Sequence, residues 1–138
     1  MKPKMNGFSL IELLIVVAIV GILAALATNI STNSNEKARL ASAKTMMIEI
    51  QGKQERAAIN QRRYVSLTSL GYSSPLFINT EGNSSPQAQA FYRIEMNVPD
   101  NFTFTITATP INGQANNACG VLTINNKGEK TATGTNCW

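Results

Sequence analysis

The feature that most constrains the fold of this chain is one long apolar run close to its start. The run extends from Gly7 to Ala27, and its only strongly polar side chains are those of Ser9 and Glu12. A helix of about twenty residues rises about 30 Å, which matches the hydrocarbon core of a bilayer. Residues 8–30 are therefore predicted to form a membrane-spanning helix.

The charges beside this run predict how the chain is oriented. Lys2 and Lys4 precede the run with no acidic residue among the first seven positions. The positive-inside bias places such residues in the cytoplasm. Residues 31–138 are then expected on the other side of the membrane, and their number suits one small globular head.

The composition argues against an enzyme. Histidine is absent, and the eight acidic residues are scattered singly along the chain. Metal sites and general acid-base catalysis both require clusters of such side chains. From Phe8 onward, ten lysines and arginines stand against eight acids, so the net charge is only +2. We predict no catalytic residue, no metal site and no cofactor.

Glu12 is the anomaly within the apolar run. A carboxylate in a membrane helix costs about 2.5 to 3.5 kcal/mol on insertion scales, so such a residue generally has a partner or a purpose. Two other interpretations stay open on the residues alone. Glu12 lies near one end of the run and could reach the interface, and Ala24–Ala27 could be the cleavage site of an ordinary secretory signal.

The first seventeen residues resemble the N-terminus of type IV prepilins, with MKPKMNG followed by FSLIELLIVV. The resemblance implies that residues 1–7 are a leader peptide, cleaved between Gly7 and Phe8 by a prepilin peptidase. It also implies N-methylation of Phe8 and retention of the apolar run. Glu12 is then expected to meet the free amine of a neighbouring subunit in the assembled filament.

One position in the helix departs from the prepilin pattern. Many pilins have a proline where this chain has Asn29, within the polar stretch Thr28–Asn35. These residues have low helix propensity without forming a hard break. We predict a helix that is weakened around Asn29.

The head, residues 31–138, begins with a second helical pattern. Apolar residues recur at intervals of three and four over about 36–62, as in an amphipathic helix. The stretch over about 63–90 contains several glycines and prolines and is predicted to be a loop. The apolar residues of the helical pattern are Leu40, Ala43, Met47, Ile50 and Ala57.

Alternating residues then predict strands over about 91–133. Phe102, Phe104, Ile106 and Ala108 alternate with threonines, which is the period of a half-buried strand. An antiparallel sheet with one apolar face needs a cover, which the helix supplies. The predicted fold is α+β, the type IV pilin fold, with a long N-terminal helix packed on a four-stranded antiparallel sheet. The predicted strands are Phe91–Val98, Phe102–Pro110, Gly120–Asn125 and Glu129–Thr133.

The two cysteines are expected to form a disulfide. Cys119 and Cys137 are an even pair in a chain with an export-type segment, and extracytoplasmic compartments favour oxidation. In the chain-entropy model a loop of this size contributes about 3 kcal/mol. The bond would close residues 119–137 at the end of the head.

The end of the chain resembles the PilE/ComP group of minor pilins. The matching residues are Ala108–Pro110, Cys119–Ile124, Gly128, Lys130 and Cys137–Trp138. Some members of this group are DNA-uptake receptors, and others prime or join the pilus. The characterised receptors have a second disulfide, for which this chain has no cysteines.

The two resemblances together imply a minor pilin that acts in pilus assembly or priming, and so in twitching motility, adhesion and DNA uptake. Its expected partners are other pilins, the pilus assembly machinery of the inner membrane, the prepilin peptidase and the membrane itself. The N-terminus would be cytoplasmic and the head periplasmic before the subunit enters the surface fibre.

DNA binding is a weaker prediction. Its candidate contacts are basic residues spread through the head, and the favoured alternative is that they are ordinary solubilising charge, since +2 is a small net charge for a DNA-binding surface. A pseudopilin of a type II secretion system and a membrane-anchored protein that never polymerises are further alternatives. The candidate DNA contacts are Arg62, Arg63, Arg93, Lys127 and Lys130.

Overall fold

The computed structural model describes residues 8–138, and within its long helix it leaves out the side chains of residues 27–32. The chain divides into two units, Met1–Ser34 and Asn35–Trp138. The predicted leader peptide, residues 1–7, lies outside the described residues, and so does the cleavage position Gly7.

The N-terminal helix α1 extends over Leu10–Gln61. Its bounds include the polar stretch around Asn29, whose side chain is among those left out. The Ser9 carbonyl accepts hydrogen bonds from the backbone N–H groups of Glu12 and Leu13 at the start of the helix. Gly52 lies inside α1 and does not interrupt it.

The described part of the first unit has an exposed apolar surface. From Phe8 to Leu26, each large apolar side chain is at least 52% exposed. Within the part of the chain that the structure describes, no helix combines the length and the apolar character required to cross a bilayer.

The second unit contains an antiparallel sheet of five strands, and the strands follow one another in space in the same order as in sequence. Each strand therefore pairs with the strand before it, as in a meander. The strands are β1 (Leu76–Ile78), β2 (Tyr92–Asp100), β3 (Thr103–Pro110), β4 (Leu122–Asn125) and β5 (Lys130–Ala132).

The predicted count of four strands is wrong because β1 lies in the stretch predicted to be a loop. Leu76 pairs with Ile94 of β2 at the sheet edge, and both Leu76 and Ile78 are buried. Three residues are too few to show the alternation by which strands are predicted from sequence. Pro75 directly before the strand reinforced the loop prediction.

The core lies between α1 and one face of the sheet, as predicted. Ala43, Met47 and Ile50 on α1 are fully buried in one cluster with the inward side chains of the strands. This packing confirms the α+β class, with the helix covering the apolar face of the sheet. The inward strand residues are Leu76, Ile78, Tyr92, Ile94, Phe104, Ile106, Ala108, Leu122 and Ile124.

Phe102 departs from the predicted alternation. It was expected on the buried face of a strand, yet it lies in the turn between β2 and β3 with 74% of its surface exposed. The Asp100 carboxylate accepts hydrogen bonds from the Phe102 backbone N–H and the Thr103 hydroxyl, both at 2.7 Å. These bonds and a register shift between Asn97 and Asp100 delay the start of β3 to Thr103.

The predicted disulfide is present between Cys119 and Cys137, with 5.6 Å between the two Cα atoms. It ties the segment before β4 to the C-terminus. Gly134 lies inside this closed loop and donates its backbone N–H to the Cys119 carbonyl at 3.0 Å. A side chain at Gly134 would overlap the Ala118 carbonyl oxygen, so the two segments approach closely only because residue 134 is a glycine.

Candidate assembly and DNA-contact surfaces

The apolar surface of the first unit is the first candidate site. Glu12 is exposed in the first turn of α1, within a segment whose large apolar side chains are exposed as well. A contiguous apolar surface of this kind on one helix marks a contact with lipid or with other proteins. Glu12 is the only acidic residue of this segment. A partner that buries the surface must therefore also provide a group that interacts with one carboxylate.

The C-terminal tryptophan forms a second candidate site with two lysines. The Nζ atoms of Lys130 and Lys44 lie 5.3 and 5.8 Å from the centroid of the Trp138 ring. The Trp138 Nε1 donates a hydrogen bond of 2.7 Å to the Thr131 carbonyl of β5, which fixes the ring beside the sheet edge. Among the described residues neither lysine has a carboxylate within salt-bridge distance. We call this group the Trp138 cluster.

The structure brings together only some of the five basic residues predicted to contact DNA. Lys130 belongs to the Trp138 cluster, and Lys127 lies in the turn before it. Arg93 lies on β2, three strands from β5, which is about 14 Å across the sheet. Its Nε lies 3.2 Å from an oxygen of Glu95, which offsets its charge.

The other two predicted residues, Arg62 and Arg63, lie at the end of α1 beside the β2–β3 turn. Together with the exposed ring of Phe102 they line a hollow of about 330 Å³, which we call the Phe102 surface. Within the described head neither arginine has a salt bridge. The hollow is lined by Ala58, Arg62, Arg63, Tyr64, Asn101 and Phe102.

A buried glutamine holds the chain that follows α1 in place. The Gln54 side chain is fully buried, and its Oε1 accepts the Val65 backbone N–H at 3.0 Å. Its Nε2 donates to the Val65 carbonyl and contacts the Met96 sulfur at 3.1 Å. Because a buried amide must be satisfied, this contact fixes the turn that carries Arg62 and Arg63.

A second hollow, of about 390 Å³, lies between α1 and the loop that follows β1. The Tyr72 hydroxyl donates a hydrogen bond of 2.7 Å to Glu49 in its wall. That bond and the neighbouring Lys53 ammonium hold the pKa of Glu49 below its ordinary value, so the carboxylate is ionised. We call this site the Glu81 hollow; its lining is Ala41, Ser42, Thr45, Met46, Glu49, Glu81, Gly82 and Asn83.

Three functional candidates were missed by sequence reasoning. No sequence pattern singles out Lys44, and the alternation of apolar residues predicts Phe102 on the buried face of a strand. Glu81 lies in a loop with no regular pattern. Lys44 could have been paired with Trp138 only through the sheet topology, which brings the C-terminus against α1. No sequence signal identifies the other two.

Comparison with known families now decides the class of protein. The family described as type IV minor pilin ComP, DNA uptake sequence receptor, matches residues 32–123. The chain belongs to this family. A prokaryotic N-terminal methylation motif also matches residues 2–28 of this minor pilin. Pilins are structural proteins that are not known as enzymes.

A solved structure supports the same fold. The high-resolution structure of a type IV pilin from Shewanella oneidensis matches this minor pilin with a TM-score of 0.53. The match has 24% sequence identity and covers 75% of this chain and 97% of the other. At this identity the likeness shows the fold alone. No curated protein sequence matches the chain.

Proposed function

We propose that this minor pilin enters the type IV pilus through its apolar segment, residues 8–30, which is retained after the leader is removed. The observation that supports this most directly is the exposure of every large apolar side chain described from Phe8 to Leu26. Exposure of such a surface to water is unfavourable, so lipid or other subunits are expected to cover it. The N-terminal methylation motif that matches residues 2–28 supports the N-methylation expected at Phe8.

The proposal gives the subunit two successive locations. Before assembly, Lys2 and Lys4 hold the N-terminus in the cytoplasm while the head faces the periplasm. A prepilin peptidase then cleaves after Gly7, and the apolar segment moves from the inner membrane into a bundle of similar helices. There the Glu12 carboxylate pairs with the new amine of a neighbouring Phe8, which offsets the desolvation of both charges.

Mass spectrometry of the native protein tests this proposal. Chains extracted from sheared fibres should begin at Phe8 and carry one added methyl group. Cells without the prepilin peptidase should instead hold the chain in the inner membrane with residues 1–7 attached. A mature chain that begins after Ala27 and is absent from fibres would indicate an ordinary secretory signal. That result would overturn the proposal.

A second function, DNA binding, is favoured by the Trp138 cluster. The matching family is described as a DNA uptake sequence receptor, and this cluster places two lysines beside one aromatic ring. Two ammonium groups without carboxylate partners among the described residues suit contacts with phosphates. We propose that this minor pilin contacts the DNA backbone through Lys44 and Lys130, with Lys127 at the edge of the same surface.

The DNA proposal predicts that the loss of DNA affinity depends on which surface of the head is changed. Full-length Lys44→Glu/Lys130→Glu protein in detergent should bind duplex DNA about tenfold or more weakly at low salt. The slope of log affinity against log salt should fall by about 2, one for each lost phosphate contact. Fluorescence anisotropy measures both quantities.

The matched control is Arg62→Glu/Arg63→Glu, which changes the net charge by the same amount at the Phe102 surface. This variant should keep most of the parental affinity. Equal losses in the two variants would mean that only net charge matters, and no loss in either would exclude DNA binding through these residues.

A further inference from the structure

The head has two surfaces of opposite character that the proposed function does not use. Both lie within the unit Asn35–Trp138, and both include part of α1. The Glu81 hollow contacts the helix around Thr45, and the Phe102 surface contacts it at Ala58. Thirteen residues of helix separate these positions, which is about 20 Å along the axis. The two surfaces therefore do not overlap.

The Phe102 surface has the features of a protein contact. Its ring is 74% exposed at the tip of a turn that hydrogen bonds to Asp100 hold in place. An exposed aromatic ring on a rigid turn keeps a large apolar area in water unless a partner covers it. Arg62 and Arg63 flank the ring, and arginine and aromatic side chains are typical of the central contacts in interfaces.

The Glu81 hollow has the complementary features. Met46 is partly buried and lines the hollow together with Ala41, and thioether groups make favourable contacts with aromatic rings. Glu81 is exposed at the rim and has no salt bridge within the described residues. Glu49 adds a second carboxylate to the wall, but the Lys53 ammonium lies 3.2 Å from it and offsets its charge. The hollow thus offers an apolar contact at Ala41 and Met46 beside one carboxylate, that of Glu81, which has no salt bridge among the described residues.

We propose that the Phe102 surface of one copy docks into the Glu81 hollow of a second copy. The ring of Phe102 would contact Met46, while Arg62 and Arg63 would face Glu81. This inference rests on the proposed function, because it names the head contact that accompanies packing of the apolar segments. Since the two surfaces are different, the contact is heterologous, and each docked copy still offers its other surface to a further copy.

A nucleic-acid partner suits the Phe102 surface less well. The Asp100 carboxylate accepts the Phe102 backbone N–H in the same turn, and it would repel the closely spaced charges of a phosphate backbone. The same carboxylate would not oppose contact of the ring with the uncharged Met46. The surface therefore suits a partner that has an apolar contact and a single acidic residue better than it suits a polyanion.

Cysteine cross-linking tests the docking in cells. The sequence has only the two cysteines of the disulfide, so an introduced thiol is the only free one. Asn101→Cys places a thiol beside Phe102, and Asn83→Cys places one at the Glu81 hollow, and both positions are exposed. The two variants are produced together with different epitope tags and treated with a short bismaleimide.

The proposal predicts a cross-linked dimer that carries both tags only when the two variants are present together. Neither variant alone should give a dimer, because a heterologous contact brings different surfaces together. A dimer of Asn101→Cys with itself would indicate a symmetric contact, and a product with another protein would identify a different partner. Either result, or no product, overturns the proposal. Asn101→Cys with Lys127→Cys is the matched control pair and should give no dimer.

Second-site changes separate docking from mere proximity. Adding Phe102→Ser to the Asn101→Cys chain should lower the dimer yield by about tenfold, as expected for a central contact. Adding Arg63→Glu should lower the yield, and Glu81→Arg on the other chain should restore it. Fibre content of the same cells is measured in parallel. If the chains enter fibres but do not cross-link, only the docking proposal is wrong. If the chains are absent from fibres, the proposed function is wrong as well.

Discussion

A Gly134→Ala variant is expected to lose about 3 kcal/mol or more of folding stability, because the added methyl group overlaps the Ala118 carbonyl oxygen. Backbone atoms cannot move aside as a flexible side chain can, so the segments on either side of the disulfide must separate. A head of about 100 residues should then unfold at least about 12 °C below the parent.

Fluorescence of Trp138, the only tryptophan, measures this loss in urea or on heating of the full-length protein in detergent. A count of free thiols shows whether Cys119 and Cys137 still pair. The Trp138 cluster should be disturbed too, since the strained loop carries that ring. Unchanged unfolding with a closed disulfide would mean that the 118–134 contact is looser than the structure shows.

Gly52→Ala is the matched control for this variant. A methyl group at position 52 meets no atom within 4 Å apart from the backbone of its own helix turns, and the residue lies inside α1. Alanine has higher helix propensity than glycine, so this variant should be equal to the parent or more stable by up to about 1 kcal/mol. The same chemical change thus has opposite expected effects at the two positions.

The elements with long, regular patterns were predictable from sequence. The amphipathic face with Met47 and Ile50 predicted that the helix covers a sheet, and the alternation from Phe104 to Ala108 predicted β3 and its buried face. These patterns succeed because burial on one side imposes a period of 3.6 or 2 residues. The disulfide followed from the number of cysteines and the compartment.

The errors occurred where tertiary contacts decide the local structure. Leu76 and Ile78 form a strand only because the edge of β2 is available for pairing, and no pattern of three residues can show that. Phe102 continues an alternating sequence, yet hydrogen bonds to Asp100 turn the chain before it.

The candidate surfaces were less predictable than the fold. The apolar segment with Glu12 could be identified from sequence, because its apolar residues follow one another directly along the chain. The Trp138 cluster and the Glu81 hollow could not, because each joins α1 to a segment far along the chain. Lys44 and Trp138, for example, are 94 positions apart and meet only after the sheet has formed.

Replacement of Glu12 is expected to have the largest effect on function. In the proposed bundle, Glu12→Gln would leave the amine of a neighbouring Phe8 without its carboxylate, and removal of one partner from a buried ion pair costs about 3 to 5 kcal/mol. Since about 1.4 kcal/mol is a factor of ten, incorporation into fibres should fall by at least tenfold. Ser9→Ala is the matched control, because it changes a neighbouring polar residue that carries no charge, and it should assemble like the parent.

The most direct measurement of the central claim is the amount of Glu12→Gln protein in sheared fibres, relative to the amount in the inner membrane of the same cells. The claim is that the retained apolar segment, with its one carboxylate, builds the subunit into the pilus. We predict that the processed variant accumulates in the membrane and is nearly absent from fibres. A variant that enters fibres as readily as the parent would contradict the claim.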